Sequence, residues 1–414
     1  MRAIERIREQ SLLICLLVLP GLIQAGGFQV NLQGNKQTGM GHTGTALNMG
    51  ASTVFFNPGA MTFQDTTWSL EAGFNGIYAS TVFQSDEFDY SASTIGSLGT
   101  PFHVYVSGKI TDKIGAGLAV YTPFGSKVEW EGEWKGRFLI QDIQLQAIFI
   151  QPTFSYKIND SWGVGAGFVY ALGSVEINRN LPLEGLDGEE GTVNLTGDAA
   201  GIGFNIGFYG QPTEKLSVGL TYRSQVDIAL EGGDAKFTAP SSLAASFPAD
   251  NKFDADLPLP ATGSLGLAYD VSDKVKLAFD INYVFWSVYD SLIFDFETNT
   301  SALSDSRNAR LYEDAIIIRL GGEFKCTDNF IWRLGAYYDP SPIQDDFFNP
   351  ETPNTDNVGF TVGASIYPTE RLAIDLSFLY ILGLERESTY EPSNFGGTYK
   401  SSAHIPGVGL SYSF

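Results

Sequence analysis

Cysteine, histidine, methionine and basic residues are all scarce in this chain of 414 residues. It contains 2 Cys, 3 His and 4 Met, and 25 Lys and Arg against 47 Asp and Glu, for a formal charge of −22. This acidic balance excludes the basic surface by which proteins bind nucleic acid. The histidines, His42, His103 and His404, belong to no recognisable catalytic motif, so we predict no catalytic residue, no metal site and no cofactor.

Long apolar runs are missing as well, apart from the N-terminus. No later stretch reaches the about 18 uninterrupted apolar residues that a membrane-spanning helix needs, which excludes a bundle of transmembrane helices. The chain is rich in Gly (46), Phe (30) and Tyr (19), residues typical of strands, tight turns and aromatic surfaces. Two classes remain, a soluble β protein and a membrane β-barrel.

The first 25 residues have the pattern of a secretory signal peptide. Arg2, Arg6 and Arg8 form a charged start, an apolar stretch runs through residues 11–23, and Ala25 is a small residue at the expected cleavage point. The apolar stretch is too short to span a membrane. We predict a signal peptide over residues 1–25 and export from the cytoplasm. Cys15 is then lost, and Cys326 alone cannot form an intramolecular disulfide.

Short and long connections alternate along the mature chain. Tight polar turns recur at residues 111–113, 159–161, 212–214, 272–274, 327–329 and 368–370. Between and around them lie longer acidic or Pro- and Gly-bearing stretches, at about residues 78–100, 123–140, 181–199, 231–256, 287–312, 339–356 and 385–400. Seven long and six short connections join about fourteen strands, and this sorting of connections is typical of outer-membrane barrels.

The predicted strands alternate between apolar and polar residues. In the first strand Trp68, Leu70 and Phe74 share one face, and Ser69 and Glu71 share the other. A sheet that faces hydrocarbon must close on itself, because an unpaired edge finds no hydrogen-bond partner there. We therefore predict an all-β fold, a transmembrane antiparallel barrel of about fourteen strands over residues 68–414.

Residues 26–67 break this pattern. Glycine recurs among small residues, and the segment ends in Phe55-Phe56-Asn57-Pro58-Gly59. Such a segment is either a disordered tail or a plug inside the barrel. Paired Phe and the Asn-Pro turn favour the plug, because disordered tails contain few aromatic residues.

Several motifs of this chain resemble the FadL family of outer-membrane transporters for hydrophobic compounds. They are Gly27-Phe28-Gln29, Asn57-Pro58-Gly59-Ala60-Met61, Trp134-Lys135-Gly136-Arg137-Phe138, Leu257-Pro258-Leu259-Pro260-Ala261-Thr262, Trp286-Ser287 and Asp339-Pro340-Ser341-Pro342. Where the family usually has Asn-Pro-Ala, this chain has Asn57-Pro58-Gly59. The resemblance implies a fourteen-stranded barrel with an N-terminal hatch. It also implies a route in which substrate is captured at the extracellular loops, binds beside the hatch and leaves sideways through a kinked strand.

The resemblance also implies site residues. Pro123, Phe124 and Gly125 match the wall kink in the family's third strand, and proline cannot donate to a strand ladder. The alternative is that they simply begin a loop. Phe28 matches a pocket residue, with Phe55, Phe56 and the hatch motif Asn57, Pro58 and Gly59 nearby; for the phenylalanines, structural packing is the competing role.

Two arginines are candidates for binding a substrate carboxylate. The guanidinium group suits a carboxylate because it donates two parallel hydrogen bonds. Strand parity puts Arg319 and Arg333 on the luminal face, opposite apolar residues. Pairing with a luminal acid such as Glu323 is the simpler role for them. Two acidic runs, Glu184, Asp187, Glu189 and Glu190, and Asp345 and Asp346, either hold cations near lipopolysaccharide or are solvated surface.

The sequence thus predicts a monomeric outer-membrane protein of a Gram-negative bacterium, surrounded by lipid and lipopolysaccharide. Its predicted function is passive uptake of hydrophobic small molecules, long-chain fatty acids first. Uptake of aromatic hydrocarbons is the alternative, and a general porin or an adhesin the more distant ones. The plug-like segment argues against the porin, and nothing in the sequence argues against adhesion.

Overall fold

A computed structural model of the protein describes residues 27–87, 89–184 and 190–414. The predicted signal peptide lies outside these residues. The N-terminal part contains short helices only: α1 (Asn35–Thr38), α2 (Thr53–Phe56) and a 3₁₀ helix (Pro58–Phe63). Three further 3₁₀ turns follow, Ala244–Ser246, Trp286–Val288 and Glu391–Ser393. In the described chain no helix has the length and apolar character needed to cross a membrane.

The remainder is β-structure in segments numbered in chain order. They are β1 (Trp68–Asn75), β2 (Ile77–Ser85), β3 (Ser91–Ser93), β4 (Leu98–Gly99), β5 (Phe102–Lys109), β6 (Ile114–Glu129), β7 (Asp142–Lys157), β8 (Trp162–Glu184), β9 (Glu190–Thr213), β10 (Leu216–Arg223), β11 (Val226–Thr238), β12 (Asp250–Leu259), β13 (Thr262–Ser272), β14 (Val275–Val284), β15 (Ser291–Phe296), β16 (Ser306–Ala309), β17 (Ala315–Thr327), β18 (Phe330–Asp339), β19 (Asn357–Ile366), β20 (Leu372–Gly383), β21 (Arg386–Tyr390) and β22 (Phe395–Ser413).

Fourteen strands close into one antiparallel barrel, as predicted. The ring runs β1, β5, β6, β7, β8, β9, β10, β13, β14, β17, β18, β19, β20 and β22, and it closes where β22 pairs with β1 from Ser69↔Ser413 to Asn75↔Gly407. The other segments prolong these strands at the end that carries the long connections, here called the loop end; the opposite end, with the short turns, is the turn end.

The outer surface of the barrel is apolar, and the strands alternate as the sequence predicts. In β1 the side chains of Trp68, Leu70 and Phe74 are 37%, 39% and 53% exposed, whereas those of Ser69 and Glu71 are 4% and 2% exposed. In a closed barrel such an outward apolar band is the surface that meets lipid.

The long connections are more regular than predicted. Stretches assigned to irregular loops contain most of β2, all of β3 and β4, the end of β8 and the start of β9, the paired β15 and β16, and all of β21 with the start of β22. Beyond the apolar band the outward face of a strand meets water rather than lipid. Apolar–polar alternation therefore weakens there, and the sequence loses its main signal for a strand.

Candidate functional site

Residues 27–67 lie inside the barrel and are bound to its wall. The Asp280 carboxylate on β14 accepts hydrogen bonds from the backbone N–H groups of Gly44 and Thr45, at 2.8 and 2.9 Å. The ammonium of Lys36 on α1 lies 3.6 Å from Asp375 and 3.8 Å from Glu71, which belong to β20 and β1. β20 and β1 both pair with β22, so the segment is held to the wall at two places in the ring, at β14 and around β22.

The Asn57-Pro58-Gly59 motif fixes the turn that enters the 3₁₀ helix. The Asn57 amide donates to the carbonyls of Thr45, at 2.7 Å, and Phe208 on β9, at 3.0 Å. Its side-chain oxygen accepts from the Gly59 N–H at 3.0 Å and so caps the helix. One side chain thus joins two parts of the inner segment to the wall.

An apolar cavity lies beside the start of this segment, towards the loop end. Its wall comes from β6, β7, β8, β9, β11, β12 and β15, whose inward side chains here are mostly aliphatic or aromatic. They include Phe28, Phe124, Ile143, Leu145, Ala147, Val175, Ile177, Ile228, Leu230, Phe253, Leu257, Leu259, Tyr289, Leu292 and Phe294. A concave apolar cavity with few polar groups is the usual form of a small-molecule site.

Among the residues that the structure describes, Arg310 is the one basic side chain that lines this cavity. It lies between β16 and β17, outside the strands, and is 3% exposed. Its Nη2 atom donates to Glu351 and its Nε donates to the Tyr289 hydroxyl at 3.4 Å, while its Nη1 is buried without a protein partner. Burial by itself lowers the pKa of Arg310, but Glu351 and Tyr289 outweigh it and raise that pKa, so the guanidinium stays charged. Among the described residues, one donor atom of this guanidinium therefore has no hydrogen-bond partner.

Phe28 is in the apolar cavity, whereas Phe55 and Phe56 are not. The Phe28 ring is 4.9 Å from Trp286 and 5.7 Å from Tyr289, centroid to centroid. Phe55 and Phe56 line a second, polar cavity, in which the Arg223 guanidinium lies 4.4 Å from the centre of the Phe55 ring. The polar walls of that cavity do not suit an apolar ligand, since they would lose hydration without gaining hydrogen bonds.

Neither arginine singled out from the sequence reaches the apolar cavity. Arg319 lines the polar cavity and donates to the His42 carbonyl at 3.2 Å. Arg333 donates to Glu323 at 2.8 Å and to Ser365 at 2.7 Å. Both face the lumen, as strand parity requires, and Arg333 has the carboxylate partner that the sequence offered as its simpler role.

The residues Pro123, Phe124 and Gly125 lie at a break in the wall. The pairing of β5 with β6 ends at His103↔Tyr121, and the register between β6 and β7 shifts between Tyr121 and Phe124. The freed edge of β6 pairs instead with the inner segment: the Val30 N–H donates to the Pro123 carbonyl at 2.8 Å, and the Gly125 N–H to the Phe28 carbonyl at 3.1 Å. Residues 28–30 thus cover a gap that opens directly beside the apolar cavity.

A family model described as outer membrane protein transport protein (OMPP1/FadL/TodX) matches residues 16–414. The chain belongs to this family. Its members are transport proteins of the outer membrane of Gram-negative bacteria, and this protein is accordingly an outer-membrane transporter with a multi-pass barrel.

Relatives in this family include outer membrane protein P1 of Haemophilus influenzae, 26% identical, with 99% of this chain and 100% of the relative covered. The long-chain fatty acid transport protein of Escherichia coli O6:H1 is 24% identical, with 98% of each chain covered. The family assignment thus extends over nearly the entire length of both sequences.

Solved structures share the fold. A Pseudomonas aeruginosa FadL homologue superposes with a TM-score of 0.85 at 19% identity, over 94% of this chain and all of that one. The toluene transporter TodX of Pseudomonas putida gives 0.74 at 16% identity, over 95% and 99%. The family architecture thus persists although four residues in five differ.

Sequence reasoning missed Arg310, Trp286 and Tyr289. All three lie in stretches between strands, where parity says nothing about the direction of a side chain. Trp286 had been noted only as part of a family motif, and its 3₁₀ turn directs the ring inward against Phe28. A basic residue followed by Leu311 and Tyr312 was the available signal for Arg310, but a loop arginine of this kind has many other possible roles.

Proposed function

We propose that this transporter takes up long-chain fatty acids or similar amphiphiles and binds them in the apolar cavity beside residues 27–67. The observation that carries this proposal is the combination of an apolar wall with the unpaired Nη1 of Arg310, a residue that lines the cavity. Each methylene buried against such a wall contributes about 0.8 kcal/mol, and the guanidinium supplies the one polar contact that a carboxylate needs.

Residues 27–67 act as the plug in this proposal, and the gap beside Pro123 acts as the exit. The plug keeps polar solutes from crossing the lumen. Displacement of residues 28–30 from the β6 edge would connect the apolar cavity with the lipid around the barrel. No energy source is needed, because the free energy of an apolar ligand falls when the ligand moves into hydrocarbon. Since the ring closes within one chain, we propose that a monomer in contact with lipid and lipopolysaccharide is the working unit.

Aromatic hydrocarbons are the second candidate. Glu351 already balances the charge of Arg310, so a neutral ligand would leave no unpaired charge in the cavity. The aromatic side chains of Phe28, Phe124, Phe253 and Phe294 would suit a planar ring. The two candidates differ in whether the ligand needs Arg310.

We expect the double variant Arg310→Met, Glu351→Gln to separate them. Methionine keeps the length and apolar character of the side chain, and the second change avoids leaving an unpaired buried carboxylate. Loss of a charged hydrogen bond worth roughly 1.5–3 kcal/mol should weaken oleate binding by about tenfold or more and leave toluene uptake unchanged. Uptake of both labelled compounds is measured in a deletion strain that carries the wild type, the double variant or Glu351→Gln alone.

Glu351→Gln is the matched control, because it removes the same ion pair but keeps the guanidinium. It should retain oleate uptake. Equal loss for oleate and toluene in the double variant would mean that Arg310 has a structural role only. If the wild-type protein adds no uptake of either compound to the deletion strain, the proposed function is wrong.

A further inference from the structure

A second break in the wall lies between β12 and β15, on the side of the apolar cavity remote from Pro123. β12 pairs with β11 along its length, from Val226↔Leu259 to Lys236↔Asp250. With β15 it pairs only through Phe253↔Phe296 and Asp254↔Asp295. Towards the turn end, the next backbone hydrogen bond between these two edges runs from the Phe285 N–H to the Ala261 carbonyl and is 3.0 Å long. Residues 255–260 and 286–294, all within the described chain, face each other without strand pairing.

The sequence explains this break on both of its sides. Pro258 and Pro260 have no N–H group to donate across it. Opposite them, the 3₁₀ turn Trp286–Val288 interrupts the strand run from β14 to β15 and buries the indole of Trp286 against Phe28. Strand pairing therefore fails where one edge lacks donors and the other edge turns inward.

The break lies next to the apolar outer band, on its loop-end side. Tyr283 and Phe285 on the outer face are 38% and 39% exposed, and their ring centroids are 4.7 Å apart. Exposed aromatic pairs of this kind mark the level where lipid meets water in outer-membrane barrels. The unpaired backbone edges begin at the next residue, where water can hydrate them.

An outer cleft and the apolar cavity meet at this break. The cleft is lined by residues of β11, β12 and β15, and three of them, Leu230, Ala255 and Asp256, also line the apolar cavity. Ala255 is half-buried and has the smallest side chain of the three. A single layer of side chains thus separates the cavity from the outside.

The rim of this cleft is acidic. It is lined by five carboxylates, those of Asp227, Glu231, Asp254, Asp256 and Asp295. None of the described residues that line it is basic. All five are exposed on the outer face. A cleft lined by charge of one sign repels ions of that sign and concentrates those of the other sign.

We propose that the break between β12 and β15 is a side entrance to the apolar cavity, and that its acidic rim selects uncharged or cationic hydrophobic molecules over anionic ones. A fatty acid would pass it in the protonated form. The inference builds on the proposed function in taking the cavity as the place where substrate binds. It adds an entry route at the membrane surface and a charge filter on that route.

The test uses a single cysteine inside the cavity. Ala147 on β7 is 2% exposed and lines the apolar cavity but not the outer cleft. The variant Ala147→Cys is made with Cys326→Ser, which removes the native exposed thiol. Cationic and anionic methanethiosulfonates of similar size are added outside, and the cationic reagent should react about tenfold faster or more.

Two pairs of variants locate the route. Asp256→Lys should cut that preference severalfold, whereas Glu385→Lys, in a separate acidic cleft, should not. Ala255→Trp should slow both reagents by filling the break. Thr192→Trp, on the exposed outer face of β9 opposite Thr238 and away from the cleft, should slow neither. The heat-dependent gel mobility of barrels shows whether each variant is folded. If Ala255→Trp does not fold, the comparison of Asp256→Lys with Glu385→Lys tests the entrance by itself.

The entrance is refuted if Asp256→Lys leaves the preference for the cationic reagent unchanged, or if a folded Ala255→Trp variant reacts as fast as the Thr192→Trp control. Oleate uptake in the same strains keeps the two proposals apart. Refutation of the entrance with oleate uptake intact leaves the proposed function standing. The opposite result is that both reagents react as expected, while oleate is not taken up and does not slow the labelling. That result refutes the proposed function and leaves the entrance standing.

Discussion

Replacing Gly165 by valine is expected to dislodge the Asn57-Pro58-Gly59 turn from the wall and to open the lumen to ions. A Cβ atom at Gly165 would lie 2.5 Å from the Pro58 carbonyl carbon. The neighbouring Gly207 is as confined, since its Cβ would lie 2.3 Å from the Asn57 side-chain oxygen. The contacts are to backbone and to a fixed cap, so the turn must move. Overpacking of this kind destabilises the packed arrangement by about 1–3 kcal/mol. Here it destabilises the contact between the inner segment and the wall.

Planar-bilayer conductance measures the result. The wild type should show little steady current, and Gly165→Val should show a large one, together with greater sensitivity of cells to bulky antibiotics. Gly263→Val on β13 is the matched control, because no atom lies within 4 Å of its Cβ position. A folded Gly165→Val barrel that stays as closed as this control would show that residues 27–67 do not close the lumen.

A disulfide between residues 29 and 124 is expected to stop uptake in oxidising conditions. Gln29 and Phe124 are directly opposite each other, flanked by the hydrogen bonds Val30 N–H to Pro123 and Gly125 N–H to Phe28. This makes them a non-hydrogen-bonded antiparallel pair, whose Cα atoms are typically about 4.5 Å apart and so within disulfide range. The bond would hold the inner segment across the gap through which we propose that substrate leaves.

The experiment uses Gln29→Cys, Phe124→Cys and Cys326→Ser together. Oleate uptake should be lost after oxidation and return on reduction in the same cells, so the loss of the Phe124 ring cancels from the comparison. Gln29→Cys with Cys326→Ser, treated with the same oxidant, should not respond. Undiminished uptake by the oxidised, cross-linked protein would rule out an exit at this gap.

The barrel could be predicted because lipid imposes a strict rule on sequence. Leu70 must face out and Glu71 must face in, and six tight turns repeat along the chain. The number of strands and the luminal position of Arg319 and Arg333 follow from counting and parity. The gap beside Pro123 carried a signal as well, since proline removes a donor from the ladder.

The cavity could not be predicted in the same way. The ion pair in this cavity joins Arg310 to Glu351, which lie in separate connections. Phe28, which also lines the cavity, is far from both in the sequence. Parity also cannot distinguish among luminal arginines. Arg319 and Arg333 face inward as expected, but the course of the inner segment places them in other surroundings. The assignment of a ligand contact therefore depended on how residues 27–67 cross the lumen.

The pairing of the first strand with the last has a consequence for biogenesis. The Phe414 N–H donates to the Trp68 carbonyl at 2.9 Å, so the final residue of the chain completes the seam with β1. The segment enclosed by the cylinder precedes β1 in the chain and is therefore synthesised before any of the strands that surround it. A chain shortened by a few C-terminal residues would lose the pairs nearest the turn end, such as Ser69↔Ser413, and leave that part of the β1 edge unpaired in the membrane.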